Sequence, residues 1–405
     1  MRRASSSSVV VTTFDAASTY HLQSGKKNRG RRSSSVALLD ESEHGIEKCR
    51  RRRSLSEGSL SAPTAITTTT TTTSSASSSS SFSSQDTNPQ SPSYTNDAIS
   101  WGALTDVRFH REGSFSLIFE ARLNSEPVMV KLLKYDHDFI DEHASDLFLQ
   151  EADLILDNPV PSPYVIDLIG RGSILKGTPS RPSFIVMEKL TETLSDRLAR
   201  IRANNRGGIL RSLSWKKSHD TWEASLKARL TTILQIATAL AHCHTLLSPT
   251  SCVIHRDVNP SNIGFRDDGT AVLFDFNNAK LIEQYDATKG ELPREMTGDV
   301  GNLRYQSPEM TCHNPTGSGT DVYSFAILAW EIASLQVPYG ETLSTNEYLL
   351  RVVEGGDRPV LSDKVSWPSP FRNLLSDCFA ENQLDRPHMV TVTEALTLIV
   401  NNFNE

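Results

Sequence analysis

From Met1 to about Asp97 the chain cannot build a core. Serine and threonine dominate this stretch, with an unbroken Thr67–Thr73 run and a second run at Ser77–Ser81, and apolar residues recur with no helical or strand period. Such a segment buries too little apolar surface to offset the entropy of ordering it. Residues 1–100 therefore read as a disordered tail, and whatever folds must be specified by the 300 or so residues from Trp101 onward. The charge balance changes at the same place. Residues 1–100 carry 12 Lys/Arg against 8 Asp/Glu, and the remainder carries 29 against 40. An acidic folded part does not fit a dedicated nucleic-acid binder.

Beyond Trp101 the pattern acquires two successive periods. Short apolar stretches at Phe115–Phe119, Val128–Leu133, Tyr164–Ile169 and Phe184–Met187 predict the strands of a small sheet. Between them Leu147, Gln150, Glu151, Leu154 and Ile155 fall at helical spacing. After Leu190 the pattern is helical. Leu226, Leu230, Ile233, Leu234, Ala237, Leu240 and Ala241 share one face, and Val322–Ile332 is apolar nearly all round, as in a helix buried within a lobe. The stretch from Arg200 to His219 holds six basic residues and no acidic ones, and reads as an exposed loop. The expected fold class is α+β, a strand-rich unit followed by a helix-rich one.

Six groups of chemically informative residues then follow in order. Val130-Lys131 lies in the strand-rich part, with Glu151 on a helix 20 residues later. His255-Arg256-Asp257-Val258-Asn259-Pro260-Ser261-Asn262 is followed by Phe274-Asp275-Phe276, by Gly301 through Glu309, and by Asp321-Val322-Tyr323 and Asp385-Arg386-Pro387. Transfer of a phosphoryl group needs a cation to cradle phosphates, oxygens to hold a metal, and a carboxylate beside the acceptor hydroxyl. These residues supply all three. In this order they resemble the protein-kinase domain, most closely the tyrosine-kinase-like group of serine/threonine kinases.

The resemblance implies a bilobal fold over residues 101–402, with a small β-rich lobe over about 101–190 and a larger helical lobe over about 191–402. It implies ATP and Mg²⁺ as cofactors and a protein substrate. Asp257 is then the carboxylate that orients the acceptor hydroxyl, and Lys131, held by Glu151, contacts the α- and β-phosphates. Asn262 and Asp275 hold the metal. Gly113, Ile118, Met129, Glu188 and Leu190 surround the nucleotide. Asp321 anchors the loop around Asp257, and Glu309 pairs with Arg386. Arg256 beside Asp257 implies an activation segment ordered by an upstream kinase acting on Thr288 or Thr297.

Several positions depart from the family pattern. The glycine-rich loop reads Arg111-Glu112-Gly113-Ser114-Phe115-Ser116, so only its middle glycine remains to let backbone N–H groups approach phosphate. Met129 adds bulk above the adenine. Asn259 stands where a lysine contacts the γ-phosphate, Asn277 replaces the glycine after Asp275-Phe276, and Asn302 replaces a threonine that links Asp257 to that lysine. We expect the amides of Asn259 and Asn302 to bond to each other and hold Asp257, and Asn277 to occupy left-handed backbone. Loss of the lysine costs on the order of 10²–10³ in rate. Two functions follow: a serine/threonine kinase of reduced activity, or a pseudokinase acting as scaffold or allosteric partner.

The remaining signals concern setting. Arg50-Arg51-Arg52-Arg53-Ser54 in the tail is a candidate phosphorylation site, with Ser54 as acceptor, or equally a solubilising or import-like basic patch. Five cysteines without CxxC spacing suggest a reduced compartment. No apolar run approaches the ~20 residues of a membrane span, and the basic, serine-rich start lacks the apolar region of a secretory signal. The expected location is cytoplasmic. His242, Cys243, His244, Cys252 and His255 cluster in sequence, but on a helix end rather than in the turns that zinc sites favour, and are read as a chance grouping.

Overall fold

The computed structural model describes residues 99–113, 116–134, 142–156, 160–173, 184–206, 221–248, 251–283, 301–361 and 367–403. The tail with Ser54, most of the basic 200–219 stretch, and Thr288 and Thr297 lie outside the described residues.

Five antiparallel strands form the first unit: β1 Leu104–Glu112, β2 Ser116–Leu123, β3 Glu126–Leu133, β4 Leu168–Gly172 and β5 Phe184–Glu188, in spatial order β1-β2-β3-β5-β4. Alternation sorts the side chains onto two faces. Val128, Val130, Phe184 and Val186 point to one side, where Trp101 packs edge-on against Phe119 and Phe184. Met129, Lys131, Ile185 and Met187 point to the other, toward helix α1, Glu142–Leu156.

Two strand expectations need correction. β1 was not anticipated, because beyond Leu104 it buries no residue fully and its sequence, LTDVRFHRE, does not alternate cleanly. The strand expected at Tyr164–Ile169 begins only at Leu168. Pro161 and Pro163 lie just upstream and cannot donate to a ladder, and Val165 makes a single bridge to Leu273 instead.

The second unit is helical. Its long helices are α2 Leu194–Arg206, α3 Leu226–Thr245, α4 Gly319–Ser334, α5 Ser369–Cys378 and α6 Met389–Asn402. Ser225 starts α3 by accepting the Ala228 N–H, a side-chain cap on an otherwise orphaned donor. Every residue from Thr320 to Ala333 of α4 is buried, as its all-round apolar sequence requires. Helix α2 corrects a further expectation: Arg200 to Arg206 are helical rather than loop, and Arg202 donates to Glu331 at 2.6 Å inside the lobe. A patch of three short strands, β6 Glu192–Thr193, β8 Ile263–Phe265 and β9 Ala271–Leu273, and a pair, β7 Ser251–Ile254 with β10 Lys280–Glu283, face the first unit. They deliver the loops that carry Asp257, Asn262 and Asp275. Among the described residues no helix is long and apolar enough to cross a membrane.

Candidate active site

Lys131 is the hub of the site. Its position on β3 sends the ammonium to the face opposite the Val128/Val130 core, where it meets Glu151 Oε2 at 2.6 Å and Asp275 Oδ1 at 2.8 Å. Burial pushes the Lys131 ammonium pKa down, but the two carboxylates outweigh this and hold it above the ordinary lysine value. Glu151 is buried, which raises its own pKa; its second oxygen accepts the Phe276 N–H at 3.2 Å. One carboxylate on α1 thus ties together β3 and the backbone that follows Asp275.

Asp275 is held in left-handed backbone at φ 65° and stays about one-third exposed toward the cleft. Burial raises its pKa, yet the Lys131 charge prevails and holds the carboxyl below the usual range. Asn277 departs from expectation: it lies inside a short 3₁₀ turn, Phe276–Asn278, and the positive φ falls on Asp275. Phe276 is fully buried, with its ring 4.8 Å from that of His255.

The Asp257 carboxylate sits in a cage of N–H donors. Asn259 Nδ2 donates to Oδ1 at 2.7 Å and the Asn302 backbone N–H to the same oxygen at 3.1 Å. Asn262 Nδ2 donates to Oδ2 at 2.9 Å and Asn278 Nδ2 at 3.4 Å. Both asparagines expected to hold Asp257 do so, but not through a bond between their amides. Asn302 uses its side-chain oxygen to accept the Arg304 N–H at 3.2 Å, and Asn259 uses its own to cap the following turn at Ser261 N. Gly301 adopts φ +89°, and a Cβ there would lie 2.8 Å from Arg256 O and 2.9 Å from Asp257 Oδ1. Asn278 and Gly301 were not singled out from sequence. Asn278 hid behind Asn277, the more obvious departure, whereas the position of Gly301 in its motif was the only available signal.

The loop backbone is fixed from beneath by Asp321, fully buried on α4. It accepts the N–H groups of His255 (2.8 Å) and Arg256 (2.9 Å) and contacts His244 Nε2 at 2.9 Å. His255 directs its own Nε2 to Phe274 O at 3.2 Å. These bonds engage His244 and His255 of the sequence cluster, and among the described residues no group of three or more His, Cys, Asp and Glu side chains is arranged to hold a metal. Glu309 and Arg386 form a buried two-pronged ion pair at 2.6 and 2.9 Å.

The nucleotide-side residues divide. Ile118 lies opposite Lys131 in the ladder and shares its face, as does Met129, two residues before Lys131. Leu190 stacks over Gly264, where a Cβ would come within 2.4 Å of its Cδ1. Glu188 commits its carboxylate to Arg266 at 2.7 and 2.8 Å, so it offers the cleft no charged group. Gly113 donates its N–H to Ser116 O at 2.8 Å, which joins the end of β1 to the start of β2.

A divalent metal fits the residues present. Asn262 spends its amide N–H bonds on Asp257 O and Oδ2, leaving its side-chain oxygen as donor alongside the partly exposed Asp275 carboxylate. Two protein oxygens completed by phosphates and water suit a hard cation of the Mg²⁺ type.

The family model described as protein tyrosine and serine/threonine kinase matches residues 109–396. A Drosophila melanogaster protein named as mitogen-activated protein kinase kinase kinase 7-like is 25% identical over 293 residues, 71% of this chain and 64% of its own length. The human serine/threonine-protein kinase TNNI3K is 26% identical over 241 residues, 58% of this chain and 25% of that protein. A Dictyostelium discoideum protein named as serine/threonine-protein kinase gdt4 is 26% identical over 320 residues, 77% of this chain and 17% of its own length. The chain thus spans less than two-thirds of each of these relatives.

Proposed function

We propose that this chain, which belongs to the protein tyrosine and serine/threonine kinase family, moves the ATP γ-phosphate to serine or threonine hydroxyls of a protein substrate with reduced turnover. The observation that carries the reading is the bridging of Glu151 and Asp275 by Lys131. That contact requires β3, α1 and the Asp275 loop to be in register at once, and it sets a buried cation beside a partly exposed carboxylate, as phosphate and metal binding need.

Each residue then has a task. Lys131 neutralises α- and β-phosphate charge while Glu151 prevents its swinging away. Asp275 and Asn262 would hold Mg²⁺, which shields the phosphate oxygens when bound. Asp257 accepts a hydrogen bond from the acceptor hydroxyl and takes its proton as the phosphoryl group departs. For that step the hydroxyl must displace one of the N–H donors around Asp257, and the longest of them, Asn278 at 3.4 Å, is the one that yields. This competition, with the missing cation at Asn259, gives the reduced rate. An upstream kinase acting on Thr288, Thr297 or Ser54 and a cytoplasmic location belong to the same reading.

The saturated Asp257 carboxylate is also the specific observation favouring a pseudokinase, in which the cage keeps the loop rigid for a binding partner. Radiolabel transfer from Mg-ATP to a generic acceptor separates the two. Wild type above Asp257→Ala supports the enzyme, and equal background incorporation supports the scaffold.

A further inference from the structure

Directly opposed residues of an antiparallel ladder project to the same face. Arg111 is opposed to Ile118, and Ile118 to Lys131, whose ammonium reaches Asp275 across the cleft. Arg111 therefore leaves the sheet on the same side as Lys131, two strands or about 10 Å away. An irregularity in the ladder between Phe109 and Arg111 sets this direction. Phe109 stacks edge-on with Phe119, whose side chain packs with the core on the far face, and the extra residue, His110, turns Arg111 back toward the cleft. The Arg111 side chain is exposed, and among the described residues it makes no hydrogen bond or ion pair.

Among the described residues, the opposite wall of the same cleft carries no cation at position 259, where the family pattern has a lysine. Asn259 is buried and donates to Asp257, carrying no charge to meet a phosphate. Resting on the nucleotide reading above, we propose that Arg111 is a phosphate-binding residue, its guanidinium engaging the β- and γ-phosphates of a bound nucleoside triphosphate from the sheet side of the cleft. A planar guanidinium offers two parallel N–H donors to a phosphate, which the glycine usual at this position cannot. The departure from glycine is then a relocation of positive charge rather than simple decay of the loop.

Calorimetric titration of the full chain with adenosine, Mg-ADP and Mg-ATP tests this in wild type, Arg111→Gly, Arg111→Gln and the double variant Arg111→Gly/Asn259→Lys. We expect both single variants to weaken ATP about tenfold or more, the scale of a lost charge-assisted pair, with adenosine unchanged. The double variant should recover much of the loss, because lysine returns a cation to the opposite wall. ATP bound as tightly as by wild type, or adenosine weakened as much as ATP, would overturn the inference. Turnover recorded alongside keeps the two readings apart. An Arg111-dependent ATP affinity without turnover removes only the enzyme, and turnover with Arg111-independent affinity removes only the arginine. No ATP binding by wild type removes both.

Discussion

Gly301→Ala tests how tightly the Asp257 loop is clamped. The residue occupies φ +89°, and the added methyl would meet Arg256 O at 2.8 Å and Asp257 Oδ1 at 2.9 Å. Real Cβ atoms essentially never approach backbone or carboxylate oxygens so closely, so one wall must move. Left-handed backbone costs a non-glycine residue about 1–2 kcal/mol, and forced overlap in a packed site about 1–3 kcal/mol. Together these predict roughly 2–5 kcal/mol, or ~3–8 °C in melting temperature for a domain of about 300 residues. Urea denaturation measures the loss, and phosphotransfer should fall with it, because the cheapest relief is displacement of the Asp257 carboxylate. Repeating the substitution in an Asp257→Ala background separates the contributions. The carboxylate overlap disappears while the backbone overlap and the φ strain remain, so the two changes should couple by ~0.5–3 kcal/mol. Strictly additive effects, or a Gly301→Ala protein within ~0.5 kcal/mol of wild type, would refute the clamp.

Three further outcomes are expected. Arg386→Ala leaves buried Glu309 without its partner and should cost about 3–5 kcal/mol by denaturation; Arg386→Met with Glu309→Leu should recover most of that. Burial raises the Glu309 pKa, but Arg386 outweighs it and the net shift is downward. Its contribution is therefore present above the ordinary glutamate range and lost as pH falls through its lower folded value. The stability gap between wild type and Glu309→Gln, followed by denaturation from pH 7 to pH 3, should accordingly close on acidification, and a gap that widened would reverse the assignment. Asn278→Ala removes the weakest donor from Asp257 and should leave the KM for ATP unchanged while altering kcat; a change confined to KM would place Asn278 outside the chemistry.

The Asp257 cage explains why two of the asparagine substitutions, Asn259 and Asn302, can persist together. A carboxylate whose neighbouring lysine is lost must find other donors or sit unpaired in a partly buried loop, which costs more than making a bond gains. Asn259 supplies one donor at 2.7 Å and at the same time caps the turn at Ser261. Asn302 supplies another from its backbone and uses its side chain to shape the next turn. Neutral amides keep the geometry that the lysine and threonine would have given and omit the charge. Geometry and transition-state electrostatics are thereby separated, and this is why the site looks assembled while its rate is expected to be low.

What could be read from the sequence and what could not divides along the range of the interactions. That Lys131, Glu151, Asp257, Asn262 and Asp275 would come together was legible because four of them sit in short motifs and Glu151 lies on a helical pattern 20 residues after Lys131, and the all-apolar run of α4 announced its own burial. β1 was not legible, since a strand that buries little has no period to detect, and neither was the fate of Asn302, whose backbone rather than side chain does the holding. Arg111 is the sharpest case. Along the chain it is a damaged glycine motif, and its meaning changes only when ladder register sets it opposite Ile118 and so on the face of Lys131. A single-residue slip would send the same guanidinium to the far face. Register is fixed by pairing among β1, β2 and β3, which no local pattern around residue 111 encodes. A charge that is out of place in a sequence motif should therefore be judged by the face it occupies before it is counted as a loss.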